Sequence, residues 1–360
     1  MQLRKQQVVR YVMSIAIAGV VSMCGPLPLI AQTSSPEAGP AAADSVESKA
    51  REGWRAALSS NPATTEGCFE AAYPSLVWER VQCAVGEPRV RPAPRTSARA
   101  SADGEPNTVG SGHDWALGAT GLITAAAGLF TSVKNVTSET GVGVAAYGDG
   151  GILGPNEFSL QLNTNANATT TVCQGHKDCT VWQQYLYVPD AIKKGEAGVF
   201  IQYWLLNWGT KACPTGWAVG TTGDCYRNSL AAVTPDLKIT DLPNMVLEGY
   251  ATPAGNDEVI FYNGTKAYAV TAKDSILDLG TVWREAEFNV VGNSDGSRAD
   301  FNAGASIIVL LEVHDGSSKR PSCLANAGTT GETNNLVLDP CITLLYSSQS
   351  NPAIEFEEQN

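Results

Sequence analysis

The 360-residue chain is short of charge, of histidine and of long apolar runs. Asp, Glu, Lys and Arg make up only 17% of it against 43% hydrophobic residues, which excludes a disordered polyelectrolyte. There are only three histidines, His113, His176 and His314, far apart in sequence, so a multi-His metal centre would need nearly all of them. There is no basic surplus either. The net charge is −12, and sequence-independent nucleic-acid binding needs a basic surface, so a nucleic-acid partner is not expected. No Gly-x-Ser-x-Gly elbow appears, and the glycine-rich run Gly148–Gly154 lacks the Lys of a phosphate loop, which leaves it as a turn. Long Lys/Glu/Leu runs are missing as well. With 35 Gly and 19 Pro, the composition favours short strands and turns over a helical bundle.

What is present begins with an export signature. Arg4, Lys5 and Arg10 precede the apolar stretch Tyr11–Val21, and a short tail runs to Ala31. Residues 1–31 are therefore expected to be a signal peptide, and the protein to be secreted, extracellular or periplasmic. No second apolar run reaches spanning length, so no membrane association of the mature chain is expected. An oxidising compartment pairs cysteines. Apart from Cys24 in the signal, the eight others fall as neighbours, Cys68/Cys83, Cys173/Cys179, Cys213/Cys225 and Cys323/Cys341, and four local disulfides are expected. Cys173, His176 and Cys179 could instead hold zinc, but a fourth ligand is not evident. No metal and no cofactor are expected.

Charge divides the chain. Residues 1–109 carry 11 Lys/Arg against 10 Asp/Glu, whereas residues 110–360 carry 13 against 26. Residues 32–109 read as a flexible, then basic segment containing a compact aromatic island closed by Cys68 and Cys83 as a short helix or turn. It is either a spacer or a propeptide lying on the acidic remainder. From residue 110 strands follow at regular spacing: Leu160–Leu162, Trp182–Val188, Val199–Trp208, Glu258–Tyr262, Lys266–Thr271, Val282–Val291 and Ala305–Val313. Asn263-Gly264 between two of them signals a hairpin. The expected fold of 110–360 is all-β, an antiparallel two-sheet β-sandwich of the jelly-roll or concanavalin type, and a monomer. The run Asn293–Asp300 loosely resembles a calcium loop without its closing Glu and reads better as a hairpin turn.

Strand alternation puts Glu285 and Glu287 on one face, where paired acids raise each other's proton affinity and one can serve as a general base. Tyr185, Tyr187, Tyr203, Trp204 and Trp208 crowd two consecutive strands, as core or as the lining of a groove for peptides or sugars.

These segments resemble the eqolisins, the secreted glutamic peptidases. The resemblance rests on Gln184-Tyr-Leu-Tyr187 followed by Gln202-Tyr-Trp-Leu-Leu-Asn-Trp208. It rests also on Glu285-Ala-Glu287-Phe-Asn-Val-Val291 with Ala299-Asp-Phe301, and on Asp114-Trp115-Ala116 as a mature start. It implies a sandwich with a groove on one concave face and an acid endopeptidase acting on protein or peptide substrates. Glu287 would be the general base on water and Gln184 the oxyanion stabiliser, with Gln183 taking that place if the register slips by one. Trp204, Tyr185, Trp208 and Glu285 would line the groove, and residues 32–109 would be a propeptide. The chain departs from the family pattern at Phe288, where the family has Trp, at Asn207, and at Leu162 or Asn163, where it has Asp. A non-catalytic sandwich binding carbohydrate or a cell-surface polymer is the alternative.

Overall fold

The computed structural model describes residues 40–86, 108–110, 112–144, 150–209, 212–220, 223–346 and 350–360. The expected signal peptide, residues 87–107 of the basic stretch, and the first two residues of the glycine-rich run lie outside them. From Glu47 onward the chain forms one compact unit; of the unit before it, only the start of a helix is described.

The fold is a two-sheet β-sandwich, as the strand spacing predicts. The smaller sheet has nine strands among the described residues. Its main order is Ala218–Val219, Cys225–Asn228, Glu196–Leu206, Thr180–Lys193, Phe158–Thr164, Glu285–Gly292, Ala116–Gly118, Ser322–Leu324. The larger sheet has fourteen, with Lys266–Lys273, Asn256–Asn263, Met245–Ala251, Ala125–Lys134, Ser306–His314 and Asn351–Gln359 as its centre. Among the described residues all strand pairings are antiparallel except that of Arg298–Phe301 with Thr333–Leu338. The Asn256–Asn263 and Lys266–Lys273 strands form the expected hairpin, with Gly264 at φ +59 opening the turn.

Period-two alternation builds the core between the sheets. The smaller sheet contributes Leu160, Leu162, Tyr185, Tyr187, Ile201, Tyr203, Phe288 and Val290; the larger contributes Phe130, Leu247, Val259, Phe261 and Leu311. Tyr187 stacks on Phe261 at 4.3 Å between ring centroids. Two glycines of the larger sheet make room for rings of the smaller. A Cβ at Gly128 would lie 2.0 Å from the Phe288 ring, and one at Gly249 would lie 2.4 Å from that of Tyr185. All four expected cysteine pairs are disulfides: Cys68–Cys83, Cys173–Cys179, Cys213–Cys225 and Cys323–Cys341. Among the described residues, no helix is long and apolar enough to cross a membrane.

Three expectations need correction. Residues 40–59, read as flexible, form the helix Pro40–Ser59. Its alanines and Pro at the first position suit a helix, and Trp54 and Leu58, one turn apart, give it an apolar face. That face packs on Phe69, Ala71, Val246, Ile260, Tyr262, Ala267 and Ala269, the side of the larger sheet away from the shared core. The Cys68–Cys83 island is neither helix nor lone turn. Gly67–Ala72 and Glu79–Val81 are strands that extend the larger sheet beyond Lys266–Lys273. The step at residue 110 is thus a charge boundary that does not separate two compact units. Finally, the turn at Asn293–Ser297 joins no hairpin; it carries the chain from Glu285–Gly292 in one sheet to Arg298–Phe301 in the other.

Candidate functional site

The face of the smaller sheet turned away from the core carries an unusual row. Across neighbouring strands, register aligns Glu287 with Asn163, Asn163 with Gln184, Gln184 with Gln202, and Gln202 with Asn228. Glu287, Asn163, Gln184 and Gln202 each alternate with a core residue on their own strand, and Asn228 is paired directly with Gln202, so all five side chains share the outward face. Apolar ridges flank the row. Trp182, Trp204, Leu206 and Tyr226 stand on one side, and Leu186, Val188, Phe200 and Ala231 on the other.

Glu287 and Gln184 are thus on one face, two strands and roughly 10 Å of backbone apart, with Asn163 between them. Asn163 donates from Nδ2 to Glu287 Oε2 at 3.3 Å, and Gln184 donates from Nε2 to Asn163 Oδ1 at 3.0 Å and to Gln161 Oε1 at 3.1 Å. Gln184 and Glu287 are 0% and 2% exposed. With both amide contacts of Gln184 spent on its neighbours, the side chain presents Oε1, which has no partner. It offers an acceptor here, so oxyanion donation requires the amide to turn over.

A strap, residues 325–332, closes the Glu287 end of the row. Thr329 donates to Glu287 Oε2 from its backbone N at 2.7 Å and from Oγ1 at 2.5 Å. Thr330 Oγ1 donates to Glu332 Oε2 at 2.5 Å, and Gln161 Nε2 to the same oxygen at 3.4 Å. Asp114 lies alongside. Its Oδ1 accepts from Gly110 N at 3.0 Å and from Asn289 Nδ2 at 3.1 Å, while Asn289 also donates to Glu358 Oε1 at 2.7 Å. Burial, then the charge and hydrogen bond of Glu287 and the charge of Glu358, hold the Asp114 carboxyl well above the ordinary range. Burial likewise pushes Glu358 up to about 8, against the lowering amides of Asn289 and Asn334.

No family model matches this chain, and no curated protein matches it. The remaining expected site residues are distributed by strand geometry. Trp204 is on the outward face but wholly buried. It donates from Nε1 to Gln202 Oε1 at 2.9 Å, lies 5.3 Å from Tyr226, and has Gly220 against its ring. Tyr185 does not line that face. One residue from Gln184, it points into the inter-sheet core and donates to the Tyr250 carbonyl at 2.8 Å. Gln183 points the same way, toward Asp257, so Gln184 is the member of the pair in the row. Trp208 lies beyond the strand end, stacked on His176 at 3.3 Å between centroids. Glu285 is half-buried one row away, opposite Gly118, and burial raises its carboxyl. Cys173 and Cys179 are joined to each other, so their thiolates are not available to zinc.

Sequence reasoning left Gln161, Thr329, Glu332 and Glu358 out of the site and placed Asp114 only at a mature start. Gln161 was findable, because Gln and Asn alternate with Leu in Leu160-Gln-Leu-Asn163. The others arrive from distant segments and leave no local signal.

Proposed function

We propose that the protein is a secreted acid hydrolase of peptide bonds in which Glu287 is the general base on water and Gln184 orients the carbonyl and stabilises its developing oxyanion. The observation that carries this reading is the register that sets Glu287, Asn163 and Gln184 side by side on the outward face, as a Gln/Glu pair would require. The four disulfides support an oxidising compartment. In the reaction the strap lifts from Glu287, substrate takes the place of Thr329, and the Gln184 amide exchanges Gln161 and Asn163 for the carbonyl oxygen.

The test is acid incubation with a denatured protein substrate, followed by intact mass, for the wild type and Glu287→Gln. Cleavage near pH 3–4 that is lost in the variant, with its fold retained, supports the reading; a variant as active as the wild type sinks it. One observation favours a non-catalytic alternative: the amide row runs on past Gln184 through Gln202 to Asn228, as a polar strip for a bound polymer would. Saturable polysaccharide binding without proteolysis would select it.

A further inference from the structure

At the strap end of the row the hydrogen bonds divide unevenly between two carboxyl groups. Glu287 Oε2 takes three donors, Thr329 N, Thr329 Oγ1 and Asn163 Nδ2. Asp114 Oδ1 takes two, Gly110 N and Asn289 Nδ2. The other oxygen of each, Glu287 Oε1 and Asp114 Oδ2, is buried and receives no N–H or O–H donor. Both carboxyls adjoin Gly328, whose hypothetical Cβ would lie 3.0 Å from Asp114 Cβ and 3.2 Å from Glu287 Oε1. The two carboxyls thus adjoin one small space beside Gly328, each with one oxygen that no donor satisfies. Two ionised carboxylates buried together would repel strongly, and a single proton held between them relieves that repulsion and supplies the missing donor.

We propose that Asp114 and Glu287 hold one proton between them, and that Asp114 is the acid partner of Glu287 in hydrolysis. The second half rests on the hydrolase reading above; the first does not. The titratable groups facing Asp114 are Glu287 and Glu358, with no cation among the groups that shift it, so its carboxyl is the one kept neutral. In the forward step Glu287 takes a proton from water as the water oxygen bonds to the carbonyl carbon. Asp114 gives its proton to the carbonyl oxygen. The pair still holds one proton, now on Glu287. That proton passes to the leaving nitrogen as the C–N bond breaks, and a hydroxyl of the tetrahedral intermediate returns its proton to Asp114. One water is consumed and the pair ends as it began.

The test follows the ¹³Cγ resonance of Asp114 against pH in the full chain, assigned with Asp114→Asn, in the wild type and in Glu287→Gln. Proton sharing predicts an Asp114 that stays protonated well above the ordinary carboxylate range in the wild type. In Glu287→Gln, which replaces the acid by an amide donor, its midpoint falls by at least about one pH unit. An ordinary midpoint in the wild type, or an unmoved one in the variant, overturns the pair. The second readout is acid proteolysis by Asp114→Asn, expected to fall about a hundredfold or more with the acid limb of the pH profile displaced. Full activity in that variant overturns the catalytic role of Asp114. A wild type that shares the proton but cleaves nothing overturns that role and the hydrolase reading together, leaving the pair itself established.

Discussion

Each sheet has a face turned away from the shared core, and the two are covered by different chemistry. The larger sheet is capped by the N-terminal helix, through Trp54 and Leu58 seated on Val246, Ile260 and Tyr262. Even its polar contacts are local and paired: Ser59 Oγ and Tyr250 OH both donate to Glu248 Oε2 at 2.7 Å. The smaller sheet is capped at its Glu287 end by the strap, and the contacts there are hydrogen bonds to a carboxylate. Apolar area cannot be exchanged for water without losing roughly 25 cal/mol per Å². A hydrogen bond can be traded for one to water or ligand at a net cost of only about 0.5–1.5 kcal/mol, or up to about 3 when a charge is involved. The helix is therefore a fixture and the strap a removable cover, which is the division expected if one face stabilises and the other works.

Alkali is the bluntest way to break the contrast, because burial raises a carboxyl near each cover: Glu248, bonded to Ser59 of the helix, and Asp114 and Glu358 beside the strap. Burial pushes Glu139 and Glu358 up to about 8 and Glu157 and Glu258 up to about 7. Between the ordinary carboxylate value and those values the folded chain binds more protons than the unfolded one, so stability falls as pH rises through that window. Hydrogen bonds hold Asp190 and Asp315 low in spite of burial, and their contribution fades only under stronger acid. The expected loss from pH 5 to pH 8 is on the order of 10 kcal/mol, read as a falling thermal midpoint. A midpoint that rises over that range would contradict the buried-acid assignment.

Trp54→Ala strikes the fixture alone. It should lower stability by about 3–5 kcal/mol, measured by urea unfolding. The same variant tests the propeptide expectation. Any cleavage between residues 86 and 108 leaves Gly67–Ala72 paired to Lys266–Lys273 and the helix seated, so the N-terminal fragment should co-purify with the rest in the wild type and be released in Trp54→Ala. Thr329→Val probes the cover and should have the smallest effect. It removes the hydroxyl bond to Glu287 but keeps the backbone one, costing roughly 1–3 kcal/mol. Under the proposed function it should lower KM, because substrate no longer competes with the hydroxyl. A raised KM would mean that Thr329 helps to bind substrate.

The sandwich was legible in the sequence because its strands alternate cleanly and its cysteines pair with near neighbours. Leu160, Leu162, Phe288 and Val290 announce a core face, and their partners Gln161, Asn163, Glu287 and Asn289 are left to the other side. The choice between Gln183 and Gln184 was not legible, since a one-residue slip exchanges the faces and only strand pairing fixes it. Tyr185 misled for the same reason. The helix was hidden by a polar, Ala- and Ser-rich composition in which two residues, Trp54 and Leu58, account for the packing. The meeting of Asp114, Glu287 and Glu358 joins three strand ends that lie far apart along the chain, and nothing near any one of them signals the other two.

The strap has one further property, set by how it is tied down. It leaves the smaller sheet at Ser322–Leu324 and enters the larger one at Thr333–Leu338, and Cys323–Cys341 ties the strand before it to the chain just past the strand after it. Held at both ends, it can bow outward like a bridge but cannot swing open like a door. Under the proposed function the arch it forms admits a single threaded chain and turns away a folded domain. Preference for unfolded substrates would then follow from clearance beneath the arch, before any side chain of the substrate is read.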